Sequence, residues 1–264
     1  MGAVCYDRGH TEPCVPLPEK IGVISDLHAN FEAMKVALNW LHANGVDHVI
    51  CLGDIIGYNA NPVEVTYLTW NRCAFALKGN HERYVLGEEA KGVKEEKLEV
   101  IHWTREQLTP QYLDWLKTLP DYHLYDGTFL LAHGSPRDPD EYIFKKEAIK
   151  ASLDHMAECY AGIRVCFFGH SHLPMLLARG QVEAKFHDDQ PRTIQLDRNQ
   201  TYLINPGSIG QPRDGITKTS FGVMDTKRWT FTWVRLDYDY EQTGVRIRDA
   251  GLDATLATRL TRGK

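Results

Sequence analysis

The chain has 264 residues, 43% of them hydrophobic, and its formal net charge at pH 7 is −5. This length allows one large domain or two small ones, and the lack of a basic block argues against a nucleic-acid polymer as the main partner. No stretch approaches the roughly 18 apolar residues of a membrane span, and the first 19 residues lack the apolar segment of a secretory signal. Six scattered cysteines without a CxxC spacing are typical of a reducing compartment. We therefore expect a cytoplasmic protein with no membrane partner.

Apolar strands and amphipathic helices alternate through the first 174 residues. The expected strands are 20–25, 47–52, 73–78, 128–133 and 164–169. The expected helices are 30–45, 61–71, most of 88–119, and 146–160. This alternation predicts βαβ units and a largely parallel sheet. Beyond residue 174, short alternating segments separated by turn residues predict antiparallel strands, followed by helix over the last 24 residues. The whole pattern indicates two packed sheets with helices outside.

Residues of the types that bind metals follow five of these strands. In chain order they are Asp26 and His28, Asp54, Asn80 and His81, His133, and finally His170 and His172. The carboxyl ends of strands form the ligand-binding edge of open α/β sheets. In an extended chain, residues i and i+2 point the same way, so the two i, i+2 pairs can each reach one site together. Oxygen and imidazole ligands together suit Zn, Mn, Fe or Ni better than Ca or Mg.

Each of these residues also has a structural interpretation. A single histidine at a strand end is usually solvated or hydrogen-bonded within the core, and the pairs GD and GN are common in turns. The segments GNH and GHSH are more specific. Because all five strands end in this way, the sequence favours a metal site over coincidence.

The order DxH, GD, GNH, H and GHxH resembles the motif set of the calcineurin-like metallophosphoesterase superfamily. Segments 205–215 (NPGSIGQPRDG) and 246–260 (RIRDAGLDATLATRL) resemble a bacterial branch related to diadenosine tetraphosphatases. The resemblance implies a mixed α/β fold, a four-layer αββα sandwich of two mixed sheets flanked by helices. Residues 20–264 would form this single domain, after a loose N-terminal extension at 1–19.

The resemblance also implies two divalent metal ions, of Mn, Fe, Zn or Ni. Carried over by motif, one ion would bind Asp26, His28, Asp54 and His172, and the other would bind Asp54, Asn80, His133 and His170. A hydroxide between the two ions would attack phosphorus in line. His81 matches the catalytic histidine of the family, which protonates the leaving oxygen or stabilises the phosphate.

The segment after Asp54 departs from the family pattern. Protein phosphatases and tetraphosphatases of this superfamily have GDxxDRG, whereas this chain has GDIIGY, with Gly57 and Tyr58 in place of an aspartate and an arginine. Arg83 and Arg213 could supply the missing cation, and Tyr58 could contact a substrate. Each of the three could equally be a salt-bridge or loop-packing residue.

Three functions remain open. The first is a phosphodiesterase acting on a small or nucleotide-like phosphate ester, which the missing arginine favours. The second is a phosphomonoesterase or a dinucleoside polyphosphate hydrolase, which the general family likeness favours. The third is a non-catalytic binding scaffold like the retromer small subunit, although no metal-ligand residue is missing here. The oligomeric state is not predicted.

Overall fold

The computed structural model describes residues 17–88, 95–184 and 190–264. Most of the extension expected at 1–19 therefore lies outside the described residues, as do Cys5 and Cys14. The described cysteines Cys51, Cys73, Cys159 and Cys166 are all free thiols, as the sequence predicts. None of the described helices is long and apolar enough to cross a membrane.

Eight helices occur in the described part of the chain. They are α1 (Phe31–Ala43), α2 (Pro62–Arg72), α3 (Asn80–Leu86), α4 (Glu95–Gln107), α5 (Pro110–Thr118), α6 (Lys146–Cys159), α7 (Tyr240–Asp249) and α8 (Ala254–Leu260). Helix α1 begins after Asn30, whose side-chain oxygen accepts a hydrogen bond from the backbone N–H of Ala33 at 3.1 Å. Helix α2 begins at Pro62, which has no N–H to lose in a first turn.

The strands in the described residues form two six-stranded mixed sheets. They are β1 (Lys20–Ile24), β2 (His48–Cys51), β3 (Phe75–Ala76), β4 (Tyr122–Tyr125), β5 (Phe129–Ala132), β6 (Val165–Phe167), β7 (Pro174–Ala178), β8 (Gln181–Ala184), β9 (Arg192–Gln195), β10 (Tyr202–Pro206), β11 (Thr219–Asp225) and β12 (Thr230–Leu236). The first sheet has the order β3-β2-β1-β11-β12-β9, and the second has the order β4-β5-β6-β10-β7-β8. Strands β1, β2 and β3 are parallel, as are β5, β6 and β10.

The two sheets pack face to face through a layer of large apolar side chains. Ile50 from the first sheet and Phe129 and Phe167 from the second are fully buried in this layer. On the outer face of the first sheet, Met34 and the rest of the buried side of α1 cover β1 and β2. Helix α6 covers the outer face of the second sheet, where Leu153 packs. The expected mixed α/β sandwich of two sheets between helices is therefore confirmed.

Two expectations about the strands need correction. Strand β4 is not among the strands expected from the sequence. Asp126 and Gly127, which follow it, form a tight turn with φ of 46° and 62°. The strands after residue 174 are not all antiparallel, because β10 pairs in parallel with β6 and antiparallel with β7. All five residues of β10 are buried, and a fully buried strand carries no alternation that would reveal the direction of its neighbours.

Candidate metal centre

The carboxyl ends of the parallel strands of both sheets meet at one edge of the sandwich. The loops after β1 and β2 carry Asp26, His28 and Asp54, and Asn80 begins helix α3, which follows β3. The loops after β5 and β6 carry His133, His170 and His172. We call these seven residues the ligand cluster. Each is at most 7% exposed. Both sheets contribute to the cluster, so it can form only when the two sheets are packed together.

Two groups of side chains within the cluster have metal-binding geometry. In the first, one ligand atom each of Asp26, His28, Asp54 and His172 lies within 4.8 Å of all the others. In the second, the same holds for Asp54, His133 and His170. The amide oxygen of Asn80 lies 3.2 Å from Nε2 of His133, next to the second group. Asp54 belongs to both groups.

The carboxylate of Asp54 lies between the two groups. Its Oδ2 is 3.5 Å from Nε2 of His28, and its Oδ1 is 3.4 Å from Nε2 of His133. Nε2 of His28 is itself only 3.1 Å from Nε2 of His172. The inward-facing nitrogens and the carboxylate oxygens therefore converge at two adjacent points.

Backbone carbonyl groups fix the orientation of three of the histidines. Nδ1 of His28 donates to the carbonyl oxygen of Ile56 at 3.2 Å, and Nδ1 of His133 donates to that of Leu52 at 2.8 Å. Nδ1 of His172 donates to the carbonyl oxygen of Gln211 at 2.6 Å. When Nδ1 is the donor, a neutral imidazole presents the lone pair of Nε2, which is the tautomer that binds a metal.

This arrangement fits divalent cations. The Nε2 lone pairs of His28 and His172 face each other at 3.1 Å, which is repulsive unless a positive charge lies beside them. Two further inward-facing atoms, Oδ2 of Asp26 and Nε2 of His170, are buried and have no hydrogen-bond partner among the described residues. Such atoms cost free energy unless something binds them, and a cation coordinated by the cluster would satisfy all of them.

The electrostatics of the cluster also favour added positive charge. Burial, opposed by the charge of His133 and assisted by that of Asp54, raises the pKa of Asp26 to about 7. Burial also raises the pKa of Asp54, but nearby His133, His81 and His28 outweigh it and hold that pKa well below its usual range. Burial lowers the pKa of His28 and of His172 well below the ordinary value. Two carboxyl groups and several neutral imidazoles are thus enclosed together, as in a site for a divalent ion.

Five of the seven residues of the ligand cluster have a left-handed backbone, contrary to the extended chain expected for the i, i+2 pairs. Among the described residues, Asp26, His28, Asp54, His170 and His172 all have positive φ, between 45° and 61°. In this left-handed region only Gly is free of strain, while Asn, Asp and His tolerate it better than other residues. The paired side chains reach one site because their loops curl, and strain of this kind is common at functional sites.

Glu82 holds the loop after β2 in place, a role that the sequence analysis missed. Its carboxylate is fully buried and accepts hydrogen bonds from the backbone N–H groups of Asp54 (2.9 Å), Ile55 (2.8 Å), Ile56 (3.2 Å) and Gly79 (2.7 Å). Gly79 precedes α3, so Glu82 also caps that helix. The segment GNHE, with a glutamate three residues after the glycine, carried the signal for this cap.

The segment 205–211 supports the cluster from the second sheet. The side chain of Asn205 donates to the carbonyl oxygen of Gly169 at 2.7 Å, and the hydroxyl of Ser208 donates to that of Asp26 at 2.9 Å. The backbone N–H of His170 donates to Oδ1 of Asp26 at 3.0 Å. These bonds join the ligand loops of the two sheets to each other.

Comparison with known proteins identifies the family of this chain. Residues 20–228 match the calcineurin-like phosphoesterase superfamily domain. The chain belongs to this superfamily. It is 33% identical over 250 residues to MJ0912, an uncharacterized protein from Methanocaldococcus jannaschii, and the match covers 92% of this chain and 98% of that protein. The buried Asp/His cluster is the expected metal-binding feature of a calcineurin-like phosphoesterase.

Two solved structures resemble this calcineurin-like phosphoesterase over most of its length. A metallophosphoesterase from Sphaerobacter thermophilus is 32% identical, with a TM-score of 0.79, and the match covers 93% of this chain and all of the other. A hypothetical protein, PH1004, from Pyrococcus horikoshii is 18% identical, with a TM-score of 0.72, and the match covers 93% of this chain and 98% of the other. The second likeness shows the fold alone.

His81 lies beside the ligand cluster and is 3% exposed. Its ring centroid is 4.4 Å from that of Tyr58 and 4.7 Å from that of His28, and its backbone N–H donates to Oδ1 of Asp54 at 2.9 Å. A Cβ atom at Gly57 would lie 2.1 Å from Nδ1 of His81. Glycine is therefore required at position 57 for two reasons. Its backbone is left-handed, with φ of 87°, and a larger side chain would collide with the His81 ring.

The two candidate arginines have different surroundings. The guanidinium of Arg83 is paired with the carboxylates of Asp121, at 2.8 Å, and of Asp140. Arg213 donates to Oε1 of Gln211 at 3.1 Å, and its guanidinium carbon lies 5.9 Å from the centre of the Tyr58 ring. Arg83 is thus held in ion pairs, whereas Arg213 lies over the loop that borders the cluster. The roles predicted for both in substrate binding remain predictions.

Proposed function

We propose that this protein is a metal-dependent phosphoesterase that hydrolyses a phosphodiester of a small or nucleotide-like alcohol. The observation that carries the proposal is the shared position of Asp54 in two adjacent ligand groups. Asp26, His28, Asp54 and His172 would hold one divalent ion, and Asp54, Asn80, His133 and His170 would hold the other. When bound, the two ions would coordinate phosphoryl oxygens, acidify water and neutralise charge in the transition state.

His81 is the proposed proton donor to the leaving oxygen. It is buried next to the cluster, and its ring is held by packing against Tyr58 and His28. Gly57 has no side chain that could accept a hydrogen bond from the His81 ring and so raise its basicity. A histidine that no side chain at position 57 makes more basic suits an ester whose leaving oxygen needs little protonation. This consideration favours phosphodiesters with good leaving groups.

An exposed aromatic pair supports a substrate with a flat ring. The ring centroid of Tyr142 lies 3.9 Å from that of His170, and the ring of Phe144 stacks on Tyr142 at 5.3 Å with an interplanar angle of 13°. Both are exposed, at 45% and 52%. Exposed rings beside a metal centre offer a face on which an aromatic base or an aryl group can stack.

The second candidate is a phosphomonoesterase or a dinucleoside polyphosphate hydrolase. The observation in its favour is Arg213. Burial lowers the pKa of His28, His170 and His172, and the positive charge of Arg213 acts on each of them in the same direction. A fixed cation so close to the cluster suits a phosphate group that carries two negative charges.

The test combines metal content with hydrolysis. The protein is loaded with Mn, Ni or Zn, and turnover is measured on bis(p-nitrophenyl) phosphate, p-nitrophenyl phosphate and a dinucleoside tetraphosphate. We expect the diester to be hydrolysed fastest. Asp54→Asn should lower kcat/KM at least about a thousandfold, because metal coordination contributes several kcal/mol to the transition state. Asp47→Asn is the control, since Asp47 is an exposed carboxylate paired with His42.

Each result separates the candidate functions. Bound metal with turnover of only the monoester or the tetraphosphate would favour the second candidate. Absence of both metal and turnover after reloading would indicate a binding scaffold. Equal turnover by wild type and Asp54→Asn would contradict the proposed role of the cluster.

A further inference from the structure

A second arginine reaches the border of the metal centre from the far end of the chain. Helix α8 carries Arg259, whose guanidinium carbon lies 5.8 Å from the centre of the Tyr58 ring. Arg213 approaches the same ring at 5.9 Å. Tyr58 in turn packs against His28 and His81. Two guanidinium groups therefore lie around one ring that touches the candidate ligands and the candidate proton donor.

The fold brings the two arginines together by specific contacts. Helix α8 packs through Ala257 and Leu260 against Ile247 of α7. The turn after α8 is joined to the segment that carries Arg213, because the backbone N–H of Gly215 donates to the carbonyl oxygen of Gly263 at 2.9 Å. Arg213 and Arg259 are thus held near each other by backbone bonds and apolar packing, despite their like charge.

Neither of these two charges forms an ion pair with a carboxylate within the described residues. Neither guanidinium has a carboxylate oxygen within 4.0 Å there, and the adjacent carboxylate of Asp214 is paired with Arg235 in the interior. Nε of Arg213 is buried without a hydrogen-bond partner among the described residues. Arg259 uses one of its five N–H donors there, on the carbonyl oxygen of Lys264 at 3.2 Å. Burial lowers the pKa of Arg259, and the charge of Arg213 lowers it further.

We propose that Arg213 and Arg259 form an anion subsite beside the metal centre, which binds a second anionic group on the alcohol portion of the substrate. The proposal rests on the phosphoesterase function proposed above and specifies its substrate class. Guanidinium groups bind carboxylates and phosphates through two parallel hydrogen bonds. The substrate would then be a phosphate ester with a carboxylate or a further phosphate, placed so that its scissile phosphate reaches the cluster.

A structural role of Arg259 would give different results. If its function were only to hold the C-terminal turn through Lys264, its replacement would lower stability and would affect all esters equally. An anion subsite instead makes the effect depend on the charge of the substrate. The charge dependence, measured as a ratio between substrates, is therefore the decisive quantity.

The experiment uses three p-nitrophenyl phosphodiesters with the same leaving group. The second alcohol is uncharged in one (ethyl), anionic in the next (2-carboxyethyl) and cationic in the third (choline). We expect wild type to have the highest kcat/KM on the anionic ester and the lowest on the choline ester. Arg259→Gln should lower the ratio of anionic to neutral ester by about tenfold, the effect of losing one charge-assisted hydrogen bond. Arg259→Lys should restore part of the ratio.

Arg262→Gln is the matched control. Arg262 is an exposed arginine in the turn after α8, so its replacement removes the same charge three residues away and should leave the ratio unchanged. An equal fall of the ratio in Arg259→Gln and Arg262→Gln would overturn the subsite, because it would reflect net charge alone. An unchanged ratio in Arg259→Gln would overturn it as well.

A binding measurement separates failure of the subsite from failure of the proposed function. Metal-free protein is titrated calorimetrically with inorganic phosphate. We expect phosphate to bind wild type and Arg262→Gln with equal affinity, and to bind Arg259→Gln several-fold more weakly. If no ester is hydrolysed but this difference is found, the phosphoesterase proposal fails and the anion subsite stands. If the esters are hydrolysed but phosphate binds all three proteins equally, the subsite fails alone.

Discussion

Two regions of the site are held in different ways. Backbone groups orient the ligand cluster, whereas the rim of the site consists of aromatic rings and remote side chains. The rim comprises Tyr58, Tyr142, Arg213 and Arg259. Carbonyl groups orient three histidines of the cluster, and backbone N–H groups bind Asp26 and Asp54. Tyr142 is instead half-exposed, and the arginines come from segments far apart in the chain. The candidate metal ligands thus arise from short motifs, while the residues proposed to contact substrate depend on how distant segments pack.

Metal removal gives the largest expected effect on the cluster. Cations that bind only the folded state stabilise it by mass action, by about 4 kcal/mol at a thousandfold excess over the dissociation constant. We therefore expect the thermal midpoint to rise when the chelated protein is reloaded with Mn or Zn. Asp26→Asn should lose most of this rise. A midpoint that does not respond to metal would contradict the assignment of the cluster.

Gly57→Ala tests the position of the His81 ring, which lies between the ligand cluster and Tyr58 of the rim. The new Cβ atom would lie 2.1 Å from Nδ1 of His81, so the His81 ring must move away from its position beside the cluster. We expect kcat/KM to fall by about a hundredfold, the usual contribution of a general acid. Gly87→Ala is the control, because its φ of 88° matches that of Gly57 while nothing lies within 4 Å of its new Cβ. A similar loss of turnover in both variants would point to backbone strain alone.

Glu82→Gln tests how much the hydrogen bonds from backbone N–H groups to the Glu82 carboxylate stabilise the loops of the cluster. The variant replaces a buried carboxylate that accepts four backbone hydrogen bonds by an amide, whose NH2 group can accept none, so we expect the free energy of unfolding to fall by about 2 kcal/mol. Chemical denaturation measures the loss. Glu88→Gln, at a glutamate whose side chain is 48% exposed, should change stability by less than about 0.5 kcal/mol. Equal effects of the two changes would contradict a special role for Glu82.

Replacing the two candidate arginines gives the smallest and most selective effects. Arg83→Gln should lower stability by only about 1 kcal/mol, because the side chains of its partners Asp121 and Asp140 are 46% and 49% exposed to water. Arg213→Gln should lower kcat/KM for an anionic ester by about tenfold. The free energy of unfolding and kcat/KM are both measured for both variants, which tests whether Arg83 is structural and Arg213 contacts substrate. A larger loss of turnover in Arg83→Gln than in Arg213→Gln would reverse this assignment.

The ligand cluster could be predicted from the sequence because all its members lie within five residues of a strand end. Apolar runs locate the strands, and the topology of parallel strands brings their ends to one edge. The rim could not be predicted in the same way. Arg259 reaches Tyr58 only because α8 packs on α7 and the C-terminal turn bonds to Gly215, and no local pattern encodes such packing.

Two smaller differences have separate causes, one local and one not. Strand β4 could have been found, since Asp126-Gly127 between two apolar segments is a strong hairpin signal. In the sequence, Arg83 and Arg213 are equivalent candidates because both follow a motif. Their difference depends on Asp121 and Asp140, which approach Arg83 from later parts of the chain, and this cannot be inferred from spacing.

The left-handed backbone of the ligand loops limits attempts to change the metal preference of the protein. Asp and His are among the few non-glycine residues that tolerate positive φ, and they are also the residues that bind borderline metal ions. Exchange of His28 or His172 for cysteine would add a softer ligand, but at φ of 45° or 58° it would also add conformational strain. Selection for a new metal in this scaffold would therefore begin more readily at His133, which is absent from the described non-glycine residues with positive φ.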